Sequence, residues 1–121
     1  MRILGFSKMW PKLDQLRFTT FRFTRKDSDW AVGERVQVAY KPRSKERKVL
    51  GIAEIVSKET RRAREATVGT MPVLSFEEAV ADGFEDWRTM WNWLLNTYGI
   101  RRLLLEPMNK LTLHWIEFKK I

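Results

Sequence analysis

Trp87, Met90, Trp91, Leu94, Leu95 and Tyr98 recur at i, i+3, i+4, i+7, i+8 and i+11, and this spacing constrains the fold more than any other feature. At the pitch of an α-helix they form one apolar stripe. The spacing predicts a helix from about Glu85 to Tyr98, with Gly99 as its C-terminal cap. A helix apolar along one side has to bury that side against another element. The rest of the chain offers mainly strands for this purpose.

Arg2–Phe6 reads as a first strand. Lys8–Leu16 follows, with Pro11 early and Leu13 and Leu16 three apart, and reads as a short helix with proline in its first turn. Phe18–Arg25 alternates and is rich in Phe and Thr, the pattern of a strand. A turn at Gly33 precedes a strand on which Val36, Val38 and Tyr40 share a face. Lys41–Lys48 forms a basic hairpin loop, and Val49–Lys58 returns as a strand with Leu50, Ile52 and Ile55 inward. Glu59–Gly69 fits a strand extension, a loop or a short helix. Ser75 and Glu78 stand in the Ser-x-x-Glu spacing of a capping box, which opens a short helix to about Ala81. Asp82-Gly83-Phe84 ends it. Arg101–Leu105 reads as a strand, and Lys110–Phe118 as the last one. The expected fold is α+β: a small β-barrel of five to six strands, with a short early helix and a late helical insertion, in a single domain over residues 1–121.

Composition narrows the function. Hydrophobic residues make up 44% and charged residues 31%, the balance of a folded globule. No apolar run approaches the roughly 18 residues of a membrane span. The first ten residues lack a long apolar stretch, so no cleaved signal peptide is expected. With no cysteine there is no disulfide, no thiolate metal site and no cysteine nucleophile. This fits a reducing, cytoplasmic setting. His114 is the only histidine, so a multi-histidine metal site is excluded. No metal and no cofactor are expected.

Charge points toward a partner. The chain carries 23 Lys and Arg against 15 Asp and Glu. Residues 1–67 have a net charge of +9 and residues 68–121 a net of −1. Such an imbalance attracts polyanions, because phosphate neutralisation drives much of nucleic-acid affinity. In the hairpin loop, Lys41, Arg43, Lys45, Arg47 and Lys48 stand against the single acid Glu46. The loop can ride on a phosphate backbone, or it can simply keep a sheet edge soluble. Trp10 and Trp30 are candidates for stacking on a base, or plugs for a barrel end. Trp87 and Trp91 belong to the helix stripe and the core. Trp93 lies off the stripe, exposed or packed on a neighbour.

Three segments together resemble an ASCH domain, of the PUA-like superfamily. Arg17-Phe18-Thr19-Thr20-Phe21-Arg22 is similar to that family's Lys-x-x-Thr-x-Arg segment. Trp30-x-x-Gly33-Glu34-x-Val36 resembles its acidic turn before a strand. Ala81-Asp82-Gly83-Phe84, ahead of Trp87 and Trp91, resembles the approach to its late helix. Thr112–Phe118 looks like its closing strand. The resemblance implies a PUA-like barrel with a cleft and a role in RNA metabolism. It places Arg17, Thr20 and Arg22 in that cleft, with Asp82, or as second choice Glu85, as the acidic partner.

Arg17 stands where hydrolase relatives have a lysine that deprotonates the threonine, and Gln15 stands where the family has a glycine. A guanidinium keeps its proton and cannot act as that base, though it can hold a phosphate or oxyanion. The expectation is therefore an RNA-binding domain that uses Arg17, Thr20, Arg22, the five hairpin cations and Trp30. The alternatives are a small hydrolase and a protein-interaction domain. The hydrolase would be an amidohydrolase on acylated cytidine or a ribonuclease, with Thr20 and Asp82 catalytic. Thr20 would then need a base: Asp82, Glu85, or a lysine such as Lys8 or Lys12 from the early helix.

Overall fold

The computed structural model describes residues 1–61 and 75–118. Five strands form one curled sheet: β1 (Arg2–Phe6), β2 (Arg17–Phe23), β3 (Arg35–Tyr40), β4 (Lys48–Arg61) and β5 (Met108–Phe118). Their order across the sheet is β1-β3-β4-β5-β2. β1 pairs with β3 in parallel, and the other three pairings are antiparallel. The sheet curls into a half-barrel whose two edges are β1 and β2. Three helices follow β4: α1 (Phe76–Ala81), α2 (Trp87–Tyr98) and α3 (Ile100–Leu105). No helix among the described residues is long and apolar enough to cross a membrane.

Two cores hold this arrangement together. One fills the curl and includes Leu4, Phe18, Trp30, Val36, Leu50, Ile55, Leu113 and Trp115. The other joins Phe21 and Phe23 of β2 to Ala79, Met90, Trp91, Leu94 and Leu103 of the helices. β2 contributes to both, with Phe18 in the first and Phe21 and Phe23 in the second. That explains why this strand is apolar on both faces. The helix stripe packs as its spacing requires: Met90, Trp91 and Leu94 are buried, and Trp87, Leu95 and Tyr98 flank them. Ser75 and Glu78 form both bonds of the capping box, and Asp86 caps α2 through the Thr89 amide. Gly99, at φ 88°, ends α2.

Several expectations require correction. The early helix is only a 3-10 turn at Pro11–Asp14. Arg101–Leu105 is not a strand but most of α3. That run has no β-branched residue and no alternation, and it buries only Leu103 in the helical core. Ile52 is not an inward residue of β4; Ala53 takes that place. A bulge lies between Ile52 and Ala53, next to Gly51 at φ 149°, and it reverses the strand's phase. Of Glu59–Gly69, the first three residues extend β4 and the remainder lies outside the described residues.

Candidate functional site

The half-barrel leaves a seam between its edge strands, and the candidate site lies in that seam. Arg22 of β2 bridges the seam by donating from Nη2 to the Gly5 carbonyl of β1, at 2.8 Å. Its Nε donates to Thr20 Oγ1 at 3.1 Å, as residues two apart on one strand face can. Its guanidinium carbon lies 4.7 Å from the centre of the Phe6 ring. The 3-10 turn brings Lys12 into the same seam, and the turn after α1 brings Asp82. Lys12 Nζ donates to Asp82 Oδ1 at 3.0 Å, with the two side chains 4% and 8% exposed. The Thr19 hydroxyl donates to the same carboxylate oxygen at 3.3 Å.

These groups form the floor of a cavity of about 90 Å³ lined by Lys12, Thr20, Arg22 and Asp82. Its walls and mouth are aromatic. Trp10 packs on Phe84 at 5.1 Å and on Trp93 at 6.2 Å, and Trp93 meets Tyr98 at 6.2 Å. Gly83, at φ 109°, sets the spacing on one side. A Cβ there would lie 3.0 Å from the Trp10 ring. Lys8 Nζ sits 4.4 Å from the centre of the Trp10 ring.

The floor carries two cations and one carboxylate, a surplus of positive charge. Burial pushes the Lys12 ammonium below its ordinary pKa against the pull of Asp82, and Arg22 adds to the lowering. Burial likewise raises Asp82 above the usual carboxylate range, although Lys12 and Thr19 oppose it. Both partners are thus displaced toward their neutral forms. Arg22 is lowered by burial as well, and it forms no ion pair with a carboxylate among the described residues. A site of this kind suits a small ligand that packs on the aromatic cluster and presents an anionic or carbonyl oxygen to the floor.

Of the residues expected from sequence, Thr20, Arg22 and Asp82 come together here. Arg17 does not. It is exposed at the start of β2, opposite His114, and donates from Nε to His114 Nδ1 at 3.2 Å. Arg17 shares its strand face with Thr19, which does reach Asp82, so its position at the start of β2, against His114, and not its face keeps it out of the cleft. Trp30 is also elsewhere. It is 5% exposed in the core of the curl, with Arg2 and Arg25 over its ring. Glu85 does not line the cavity. The hairpin cations Lys41, Arg43, Lys45, Arg47 and Lys48 lie in and beside the β3–β4 loop; all but Lys41 are exposed.

The residues that sequence reading underweighted are Phe84, Trp93 and Lys12. Trp93 lies off the helix stripe, and a large aromatic in that position was the available signal. Lys12 is a buried lysine in a short turn, where only proximity to Asp82, 70 residues away in the chain, reveals its role. Comparison of the chain with family models, curated proteins and solved structures returns no match.

Proposed function

We propose that this chain is an RNA-binding domain of the PUA-like, ASCH kind that receives one nucleotide base in the seam cleft. The observation that carries the reading is the pairing of an aromatic mouth (Trp10, Phe84, Trp93) with a cation-rich polar floor (Lys12, Arg22, Thr20, Asp82). Stacking on aromatic rings tolerates any base, and hydrogen bonds from the floor select its edge. The basic hairpin adds attraction for the phosphate backbone. The half-barrel with a seam between its edge strands is compatible with a PUA-like barrel.

Titration of labelled single-stranded RNA at several salt concentrations tests this reading. Affinity should fall steeply with salt, because each phosphate contact releases counterions. Absence of binding even at low salt refutes the reading.

A second reading, an amidohydrolase on an acylated nucleoside, is favoured by one specific observation. Lys12 and Thr20 line the same cavity, so Lys12 is a candidate for the lysine whose sequence position holds Arg17. A lysine shifted toward its neutral amine can take the proton of the Thr20 hydroxyl. The Arg22 Nε–H on Thr20 Oγ1 would favour the resulting alkoxide. Incubation with acylated cytidine decides between the two. Turnover that is lost in Thr20→Ala establishes the hydrolase; no product at high protein concentration leaves the binding module.

A further inference from the structure

A second depression adjoins the cleft. It is a groove of about 420 Å³ between the end of β1 and the start of the hairpin loop. Gly5, Phe6 and Ser7 line both cavities, so one stretch of backbone is their common wall. The far side of the groove is formed by Lys41, Arg43 and Ser44. Its lining residues include two cations and two hydroxyls and no carboxylate, and most of the surface they turn to the groove is apolar, from Phe6, Pro42 and the side-chain stems.

The groove is held in shape by its base. The Lys41 amide donates to the Phe6 carbonyl at 2.8 Å. Gly5 lets the hairpin approach closely, for a Cβ there would come within 2.7 Å of Pro42 Cγ. Gly5 is also the residue whose carbonyl accepts from Arg22 on the cleft side. The groove and the cleft floor are therefore tied to the same strand end.

The cations are available. Arg43 is exposed and forms no ion pair among the described residues. Lys41 pairs with Glu46 at 2.9 Å, but that pair is at the surface, where such pairs are weak and readily exchanged. Lys45, Arg47 and Lys48 do not line the groove.

We propose that this groove is a phosphate subsite, in which Arg43, Lys41 and the hydroxyls of Ser7 and Ser44 hold one phosphate of the ligand whose base occupies the cleft. The inference rests on the cleft reading above and sharpens it. The ligand is a nucleoside phosphate or a phosphodiester, and a free nucleoside is a poorer one. Only part of the basic hairpin takes part in the contact. An arginine fork and paired hydroxyls are suited to phosphate oxygens.

The test is titration of the intact chain with cytidine, cytidine monophosphate, a cytidine trinucleotide and inorganic phosphate, followed by tryptophan fluorescence. Trp10 and Trp93 at the cleft mouth supply the signal. The monophosphate should bind ~10-fold more tightly than the nucleoside, the gain typical of one charge-assisted contact. Arg43→Ala should remove that advantage and leave nucleoside binding unchanged. Arg35→Ala removes the same charge from the far end of β3, outside both the groove and the hairpin, and should leave the advantage intact. A trinucleotide that binds more tightly still, with the same dependence on Arg43, identifies the phosphate as one of a polynucleotide; equal binding identifies a free nucleotide. Equal affinity for nucleoside and monophosphate overturns the subsite and leaves the cleft reading standing. So does equal sensitivity to Arg43→Ala and Arg35→Ala, which would mean only a diffuse field. No binding of nucleoside, monophosphate or trinucleotide overturns both.

Discussion

Replacing Lys12 by methionine keeps an unbranched apolar stem one atom shorter and removes the charge. The consequence follows from the cleft floor. Asp82 is 6% exposed and has two partners there, Lys12 at 3.0 Å and the Thr19 hydroxyl at 3.3 Å. Without Lys12, the carboxylate keeps one longer hydrogen bond and a more distant attraction to Arg22. Breaking one side of a buried pair costs about 3–5 kcal/mol, because the other charge stays behind uncompensated. Converting Asp82 to asparagine in the same chain removes that charge, so Lys12→Met/Asp82→Asn should recover about 2–3 kcal/mol relative to additivity.

The sign of the pH dependence is also determined. Asp82 is already raised above its ordinary 3.8, and losing Lys12 raises it further. A carboxyl raised in the folded state takes up a proton on folding, so its stabilising share is present at low pH and is lost as pH rises through the folded pKa. The deficit of Lys12→Met should therefore be small near pH 4 and full at neutrality. Urea unfolding of the four chains at both pH values measures this, with equal slopes required for the comparison. A coupling below about 0.5 kcal/mol, within the error of additivity, would refute the reasoning, as would a deficit that grows toward acid.

Other outcomes follow from the same structure. Gly51→Ala should cost at least ~3 kcal/mol or prevent folding, since its Cβ would fall 1.9 Å from the Glu117 carbonyl oxygen at φ 149°; a thermal midpoint within a few degrees of the parent would contradict the bulge. Glu78 binds Arg61, Lys110 and the Ser75 amide, and the Arg61 guanidinium holds its carboxyl well below the ordinary 4.5. Its stabilisation is therefore present above pH 4.5 and lost as pH falls. Glu78→Gln should lower stability at pH 7 by roughly 2 kcal/mol and flatten the acid limb of the stability curve. Arg17→Ala should leave ligand affinity within twofold at constant salt, whereas Arg22→Gln should weaken it ~10-fold or more; the reverse order in a binding titration would return Arg17 to the site.

The parts of this fold legible in the sequence were those governed by local spacing. The stripe from Trp87 to Tyr98, the Ser75–Glu78 box and the alternation of β5 all depend on near neighbours. Where a long-range contact decided the outcome, local reading failed. Ile52 alternates correctly until the bulge beside Gly51 shifts the strand against β5. Arg101–Leu105 contains enough leucine for either element, and the helical core under Leu103 settles it. The cleft divides in the same way. Thr20 and Arg22 share a strand face by parity alone, and Asp82 follows from a resemblance of short motifs. Lys12, one of several candidate bases in the sequence, is placed only by the fold of a 3-10 turn into the seam, and Arg17 stays outside because it stands at the start of β2 against His114.

The most direct test of the cleft reading is to map single-stranded RNA onto the protein by two-dimensional NMR of the labelled chain. The largest shifts should fall on the amides of Lys12, Thr20, Arg22 and Asp82 and on the indole N–H groups of Trp10 and Trp93, with smaller ones at Ser7 and Arg43. Shifts confined to the outer face of β3 and β4 around Arg35 and Glu54, with the seam undisturbed, would contradict that reading.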